Sequence, residues 1–151
     1  MWYHYSVGNG QDTTMEDIKI MIIKQFNNLE EIQEYYDRST NTYVFKEGGS
    51  YIDLVVFEFN LETDSSIDAW DIKAWNIKAH EIFSRDINAA VINAHNIYAR
   101  NIIAWSITAE IISYNAVCIA REDIKCKLIY SLIPNAKHYV LKGKLEIESE
   151  Q

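Results

Sequence analysis

The chain of 151 residues and 17.6 kDa is long enough for one domain and too short for two well-cored ones. Hydrophobic residues at 48% and charged residues at 24% exclude a disordered chain, and 5 Gly with 1 Pro exclude a collagen-like or linker-rich one. Acids outnumber bases 22 to 14, and a net charge of −8 argues against wrapping nucleic acid through phosphate contacts.

Residues 1–17 form an N-terminal segment that is polar and aromatic, without a period that predicts order. Its start, MWYHYSVGNGQ, has neither the basic nor the apolar region of a secretory signal. IKIMIIKQF (18–26) reads as a strand, and NNLEEIQEYYDRS (27–39) as a short helix. Asn28 is placed to cap that helix, with Glu30 and Glu31 in its first turn. TYVF (42–45), a KEGG turn and YIDLVVFEFNL (51–61) read as a hairpin. Residues 18–66 are therefore expected to form a small α+β module that caps the open edge of a repetitive segment beginning at Ser66.

From Ser66 the chain reads SIDAW DIKAW NIKAH EIFSR DINAA VINAH NIYAR NIIAW SITAE. Isoleucine recurs at 67, 72, 77, 82, 87, 92, 97, 102, 107 and 112, and each of the first nine is followed two residues later by Ala or Ser. In a helix, a step of five advances each Ile by roughly 140° and scatters them around the axis. In an extended segment, residues two apart share a side. The remaining three residues of each step supply a corner, after which the pattern restarts on a new face. Repetition predicts a β-solenoid over 67–112, with an Ile/Ala core and hydrogen bonds between stacked coils. One coil closes after either four repeats or three, giving four faces or three.

After Ile112 the phase slips in ISYNAVCIAREDIKCKLIY. Val117 keeps the period, and Ile119, Ile124 and Ile129 resume it two residues out of phase. Residues 113–151 thus read as an irregular last coil and a C-terminal cap, with HYVLKGKLEIESE alternating like a strand. Cys126 fills the small slot after Ile124, and it and Cys118 match neither a metal motif nor a disulfide framework. Buried thiols in a reducing compartment fit this usage, and no apolar run approaches the ~20 residues of a membrane span. A cytoplasmic protein is expected.

The spacing resembles that of pentapeptide-repeat proteins, over about 50 of the 151 residues. The resemblance implies a mainly β fold: a right-handed β-solenoid, here with the small N-terminal α+β cap. That family places the small residue first and Leu or Phe second, whereas here the Ile leads. Some members imitate DNA with an acidic rod. In this chain residues 1–66 hold 12 acids and 4 bases, residues 67–112 hold 5 and 4, and residues 113–151 hold 5 and 6. The rod is nearly neutral, and any phosphate-like field belongs to the first module, through Glu30, Glu31, Glu34 and Asp37.

Trp70, Trp75 and Trp105 follow the small core residue, at positions that face outward. Exposed Trp is enriched at interface hot spots, so these residues, with Phe83 and Ile103, form the expected partner-binding surface. In a four-sided coil, Trp75 lies beside His95 and Phe83 beside Ile103. In a three-sided coil, His80, His95 and Glu110 stack in a ladder of metal-ligating types, although without local ligand spacing. Asp68, Asp71, Glu81 and Asp86 are carboxylates, but Lys73, Lys78 and Arg85 lie close in sequence and favour solvated charge pairing. The chain has no nucleophile elbow, P-loop, HExxH or dinucleotide glycine fingerprint. No enzyme activity, cofactor or metal is expected.

NLEEIQEYYD, YIDLVVFEFNL, the NIxA/DIxA repeats and ISYNAVCIAREDIKCK resemble small phage and mobile-element proteins of low-GC Gram-positive bacteria. That resemblance implies a phage-side inhibitor, similar to anti-CRISPR proteins. Its target would be a host protein that handles nucleic acid, with no direct nucleic-acid or membrane contact. A homodimer is expected, because the solenoid ends and the aromatic face both offer apolar surface and the C-terminal third is close to neutral. The alternative is a self-assembling scaffold similar to bactofilins.

Overall fold

The structure, a computed structural model, describes residues 22–56 and 59–148. The segment 1–17 and the first four residues of the strand expected at 18–26 lie outside the described residues. Ile22–Phe26 forms β1, followed by the helix α1 at Leu29–Ile32. The Asn28 carboxamide oxygen accepts the Glu31 N–H at 3.0 Å, and the Glu31 carboxylate accepts the Asn27 N–H at 2.9 Å. The pair is a variant of the capping box in which the return bond reaches Asn27, one residue before the cap, and it sets where the helix starts. The helix is shorter than the 27–39 expected, passing through one tight turn at Gln33–Tyr35 into β2 at Tyr36–Asp37. So short a helix is held by packing rather than propensity. Ile32 is buried, and the Tyr35 ring stacks on Phe45 at 5.1 Å and meets Phe26 edge-on at 5.7 Å, which draws the chain out of the helix.

Thr42–Val44 (β3), Lys46–Glu47 (β4) and Ser50–Val56 (β5) come next. The hairpin is smaller than expected, joining only β4 and β5, with Lys46 opposite Tyr51 and Glu47 opposite Ser50. Its two-residue turn needs positive φ at both centres, supplied by Gly48 at 57° and Gly49 at 88°. β3 and β5 run parallel to the repeat, and β2 lies antiparallel on β3. Tyr43 stacks on Ile67, Leu54 on Ile72, and Leu61 of Leu61–Glu62 (β6) on Ile77. β1 in turn lies parallel to β5. Solenoid pairing therefore begins before residue 67.

Ser66–Thr108 (β7) is one strand of 43 residues wound around the axis. Ile97 pairs with Ile112, the His80 N–H donates to the Ser65 carbonyl at 3.1 Å, and the Glu110 N–H to that of His95 at 2.8 Å. Each of these steps spans three repeats of five, so one coil has three faces and is triangular. Ile67, Ile82, Ile97 and Ile112 form one inner column. Ile72, Ile87 and Ile102 form the second, and Ile77, Ile92 and Ile107 the third; none is more than 1% exposed. Ser84 replaces Ala in one small slot, and its hydroxyl donates to the Trp70 and Asp86 carbonyls, both at 3.0 Å. The fold is mainly β, a β-solenoid of about 5 turns with, among the described residues, a single short α-helix.

Ile111–Ala120 (β8) carries the phase slip. Ala99 pairs with Tyr114 but Asn101 with Val117, so β8 holds one extra residue at the corner. The slip corrects the expected inward set. Cys118 and Ala120 point inward and are fully buried, while Val117 and Ile119 are only half-buried. Tyr114 explains the extra residue, because it brings a ring into a slot that holds Ala99 one coil earlier. The irregular coil does not close the stack. Ile124–Cys126 (β9) pairs with β7, and a further coil succeeds it. That coil consists of Leu128–Tyr130 (β10), Lys137–Val140 (β11) and Leu145–Ile147 (β12). β10 and β11 add to β8, and β12 to β9, all parallel.

The inner isoleucines lie fully buried in one continuous core with the alanines of the repeat, so truncating one leaves a cavity. Ile92→Ala is expected to lower unfolding free energy by about 2–5 kcal/mol in urea titrations. Ile92→Asp, which buries an unpaired charge, is expected to abolish the β-type circular dichroism spectrum.

Candidate functional site

The triangular coil arranges the outer side chains in columns along its corners and faces, three outward positions to each repeat. One corner carries Trp70 and Arg85. The guanidinium lies over the Trp70 ring at 4.6 Å, and Tyr51 stacks beyond it at 6.4 Å with Lys46 5.7 Å from the Tyr51 ring. Arg85 also donates to both Asp71 carboxylate oxygens, at 2.8 and 3.1 Å, and lies 3.5 Å from Asp86. The bond to Asp71 holds the guanidinium above its ordinary pKa. Trp70 is thus half-buried in an alternating cation–aromatic stack, rather than exposed as its position in the repeat suggested.

The second corner carries Trp75 and Trp105, with Ala90 at the step between them. Two strand spacings put the indoles about 10 Å apart along the rod. Trp75 is 64% exposed and Trp105 49%. Val91 beside Ala90 and Ile103 beside Trp105 are also exposed. The guanidinium of Arg121 lies 4.4 Å from the Trp105 ring and covers one of its faces. From Ile103 the apolar surface continues along the face through Ile119 to Tyr139, which are its partners in successive coils.

Phe83 does not adjoin Ile103, because that contact required a four-sided coil. It lies on another face and stacks on Tyr98 at 5.2 Å with planes 11° apart. The candidate surface is accordingly Trp75, Val91, Ile103 and Trp105, with Trp70 and Phe83 elsewhere. Tyr98 and Arg121 belong to the surface aromatic stacks, yet neither stood out in the sequence. Tyr98 was accessible through the three-repeat step from Phe83. Arg121 was not, because the bulge makes its step from Trp105 longer than three repeats.

The third corner holds His80, His95 and Glu110 in a column, as the three-sided coil requires. The imidazoles are 4.8 Å apart between centroids, and His95 Nδ1 is 3.8 Å from Glu110. His80 leans toward Glu81 at 3.8 Å, and Glu110 is engaged by Lys127 at 3.3 Å, which lowers its pKa. These groups line one side of an open groove of about 570 Å³ rather than converging. Among the described residues, no group of three or more His, Cys, Asp or Glu side chains is placed to hold a metal ion.

Glu30, Glu31, Glu34 and Asp37 do lie together at the N-terminal end. Glu30, Glu31 and Glu34 line one groove with Lys24, and Glu34 and Asp37 line the next. Two of them have structural work. Glu31 accepts the Asn27 N–H ahead of the helix cap, and Asp37 accepts the Ser39 hydroxyl at 2.7 Å and N–H at 2.9 Å, which lower its pKa. Lys24 adds a positive charge among them, 3.1 Å from Glu47. Of the sequence carboxylates, Asp71 and Asp86 face Arg85, whereas Lys78 pairs with Glu62. Asp68 and Asp53 are raised in pKa, chiefly by burial.

No helix among the described residues is long and apolar enough to cross a membrane. Comparison of the chain with protein-family models, with curated proteins and with solved structures returns no match.

Cys118 and Cys126 are both buried, and burial pushes the Cys118 thiol from its ordinary 9.0 up to about 12. No thiol is expected to react with a disulfide reagent at pH 8 in the folded protein, and both are expected to react after denaturation. A raised thiol pKa stabilises the fold fully below pH 9.0, and that contribution is lost as pH rises toward 12. Alkaline urea titrations of a Cys118→Ala variant are expected to show a smaller decline over this window.

Proposed function

We propose that this protein is a non-catalytic binding module that engages another protein through the corner carrying Trp75 and Trp105. The observation behind this reading is the contrast between the tryptophans. Trp70 is held by Arg85 and Tyr51, while Trp75 and Trp105 leave 64% and 49% of their surface in solvent. They stand on a rigid stack, so little side-chain and backbone freedom remains to be lost on binding. Apolar neighbours at Val91 and Ile103 widen the patch, and Arg121 supplies a charge at its margin. Aromatic anchors ringed by weaker contacts match the composition of binding hot spots.

For the partner we propose a protein that handles nucleic acid, with inhibition as the outcome, as in anti-CRISPR proteins. The support for this narrower reading is the resemblance of the sequence to small phage proteins and the excess of acids in residues 1–66. Glu30 and Glu34 would steer approach to a basic partner, and the tryptophan corner would supply contact.

Affinity capture from bacterial lysate tests the surface and the outcome together. Trp75→Ala and Trp105→Ala are each expected to weaken capture by about 2 kcal/mol, roughly 30-fold, with little dependence on salt. Glu30→Lys with Glu34→Lys is expected to slow association and leave most of the affinity. A captured nuclease or other nucleic-acid enzyme should lose activity when the protein is added. Capture that survives both Trp variants but fails on charge reversal would replace the aromatic corner by acidic mimicry. Capture of no nucleic-acid enzyme would overturn the narrower reading.

A further inference from the structure

We propose that the C-terminal end of the solenoid is the interface of a head-to-head homodimer. The last coil places β10, β11 and β12 one to each face, and each is paired on one side only. Among the described residues, no strand pairs with their outer edges. Ile129, Val140 and Leu145 of this coil are half-buried, whereas their partners one coil earlier, Ile112, Ala120 and Ile124, are fully buried. His138, the partner of buried Cys118, is exposed, and its Nδ1 lies 2.8 Å from the Tyr114 hydroxyl. Leu132, Ile133, Leu141 and Ile147 are exposed around the same coil, the last two by 65% and 58%. The cross-section of an apolar core and three rows of backbone donors and acceptors therefore reach the surface together.

The opposite end is finished differently. There β2 turns back antiparallel on β3, Ile32 of α1 is buried, and Phe26, Tyr35 and Phe45 pack into one aromatic cluster. Among the described residues β1 and β6 also pair on one side only, but antiparallel β2 crosses the β3 face, and a filament would have to stack on it. The open ends have no such obstacle to each other.

A second copy fits because of shape and charge. A single added strand would satisfy one edge, whereas the three edges of a triangle are met at once by another triangle of equal size. A two-fold axis perpendicular to the rod pairs one face with itself and exchanges the other two, with every strand antiparallel to its partner. Residues 113–151, with 5 acids and 6 bases, are close to neutral, while residues 1–66 carry 12 acids and 4 bases. Head-to-head docking joins the neutral ends and holds the acidic ends a full dimer length apart. This interface does not involve Trp75 or Trp105, so it stands or falls separately from the binding corner.

Light scattering of the full chain at micromolar concentration is expected to give twice the 17.6 kDa of one chain. Leu141→Lys with Ile147→Lys is expected to halve that mass while preserving the circular dichroism spectrum, and Trp75→Ala with Trp105→Ala to leave it unchanged. If the lysine variant fails to fold, spin labels decide. A label at Lys142→Cys should report a short intermolecular distance, and one at Arg38→Cys a long one. A wild-type mass of 17.6 kDa, a filament, or a dimer with its short distance at Arg38 would each overturn the proposal.

Discussion

Everything in this fold depends on how little room a triangular coil leaves inside. Each face contributes one Ile and one small residue, and the three isoleucines of a coil fill the centre between them. The small residue stands next to the corner, where a larger side chain would meet the neighbouring face. Tyr114 shows the limit: where a ring occupies the small slot, β8 carries one extra residue and the next inward pair becomes Cys118 and Ala120. Interior geometry, not strand propensity, therefore sets the repeat at five and the coil at three repeats.

That interior also organises the outside. Residues three repeats apart are neighbours across a strand spacing, so a position in the repeat becomes a column on the rod. Columns of like residues give the adjoining, tilted rings of His80 and His95, the stacked Phe83 and Tyr98, and the spaced pair Trp75 and Trp105. The columns differ in how far they are satisfied. Trp70 has a cation above and a ring below, and the third corner is charge-paired through Glu110 and Lys127. Only the second corner combines two exposed indoles with apolar neighbours, which is why the functional reading rests there.

Much of the fold was legible because the period of five is unbroken from Ile67 to Ile112, and a slip of a single position would have exposed the column. The number of faces was not legible, since the period is compatible with three or four. Distinguishing them required pairs such as His80 with His95, which mean nothing until the coil closes. The first coil was hidden for another reason. Tyr43, Leu54 and Leu61 occupy Ile positions, but loops of different length separate them, so no period links them to Ile67, Ile72 and Ile77. The site was legible residue by residue and not as a surface. Outward tryptophans followed from the repeat, but which ones share a corner depended on the coil length. That Trp70 would be covered depended on Tyr51, outside the repeat altogether.

The three-sided coil is tested most directly by cross-linking outward positions on adjacent coils. Neighbouring strands lie about 4.8 Å apart, within the Cα separation that a disulfide spans. A His80→Cys, His95→Cys variant, with its cysteines three repeats apart, is expected to close an intramolecular disulfide under mild oxidation, detectable by mass after blocking free thiols. A Trp75→Cys, His95→Cys variant, with its cysteines four repeats apart, is expected to remain reduced. A disulfide in the second variant and none in the first would contradict the triangular coil, and with it the grouping of Trp75 with Trp105.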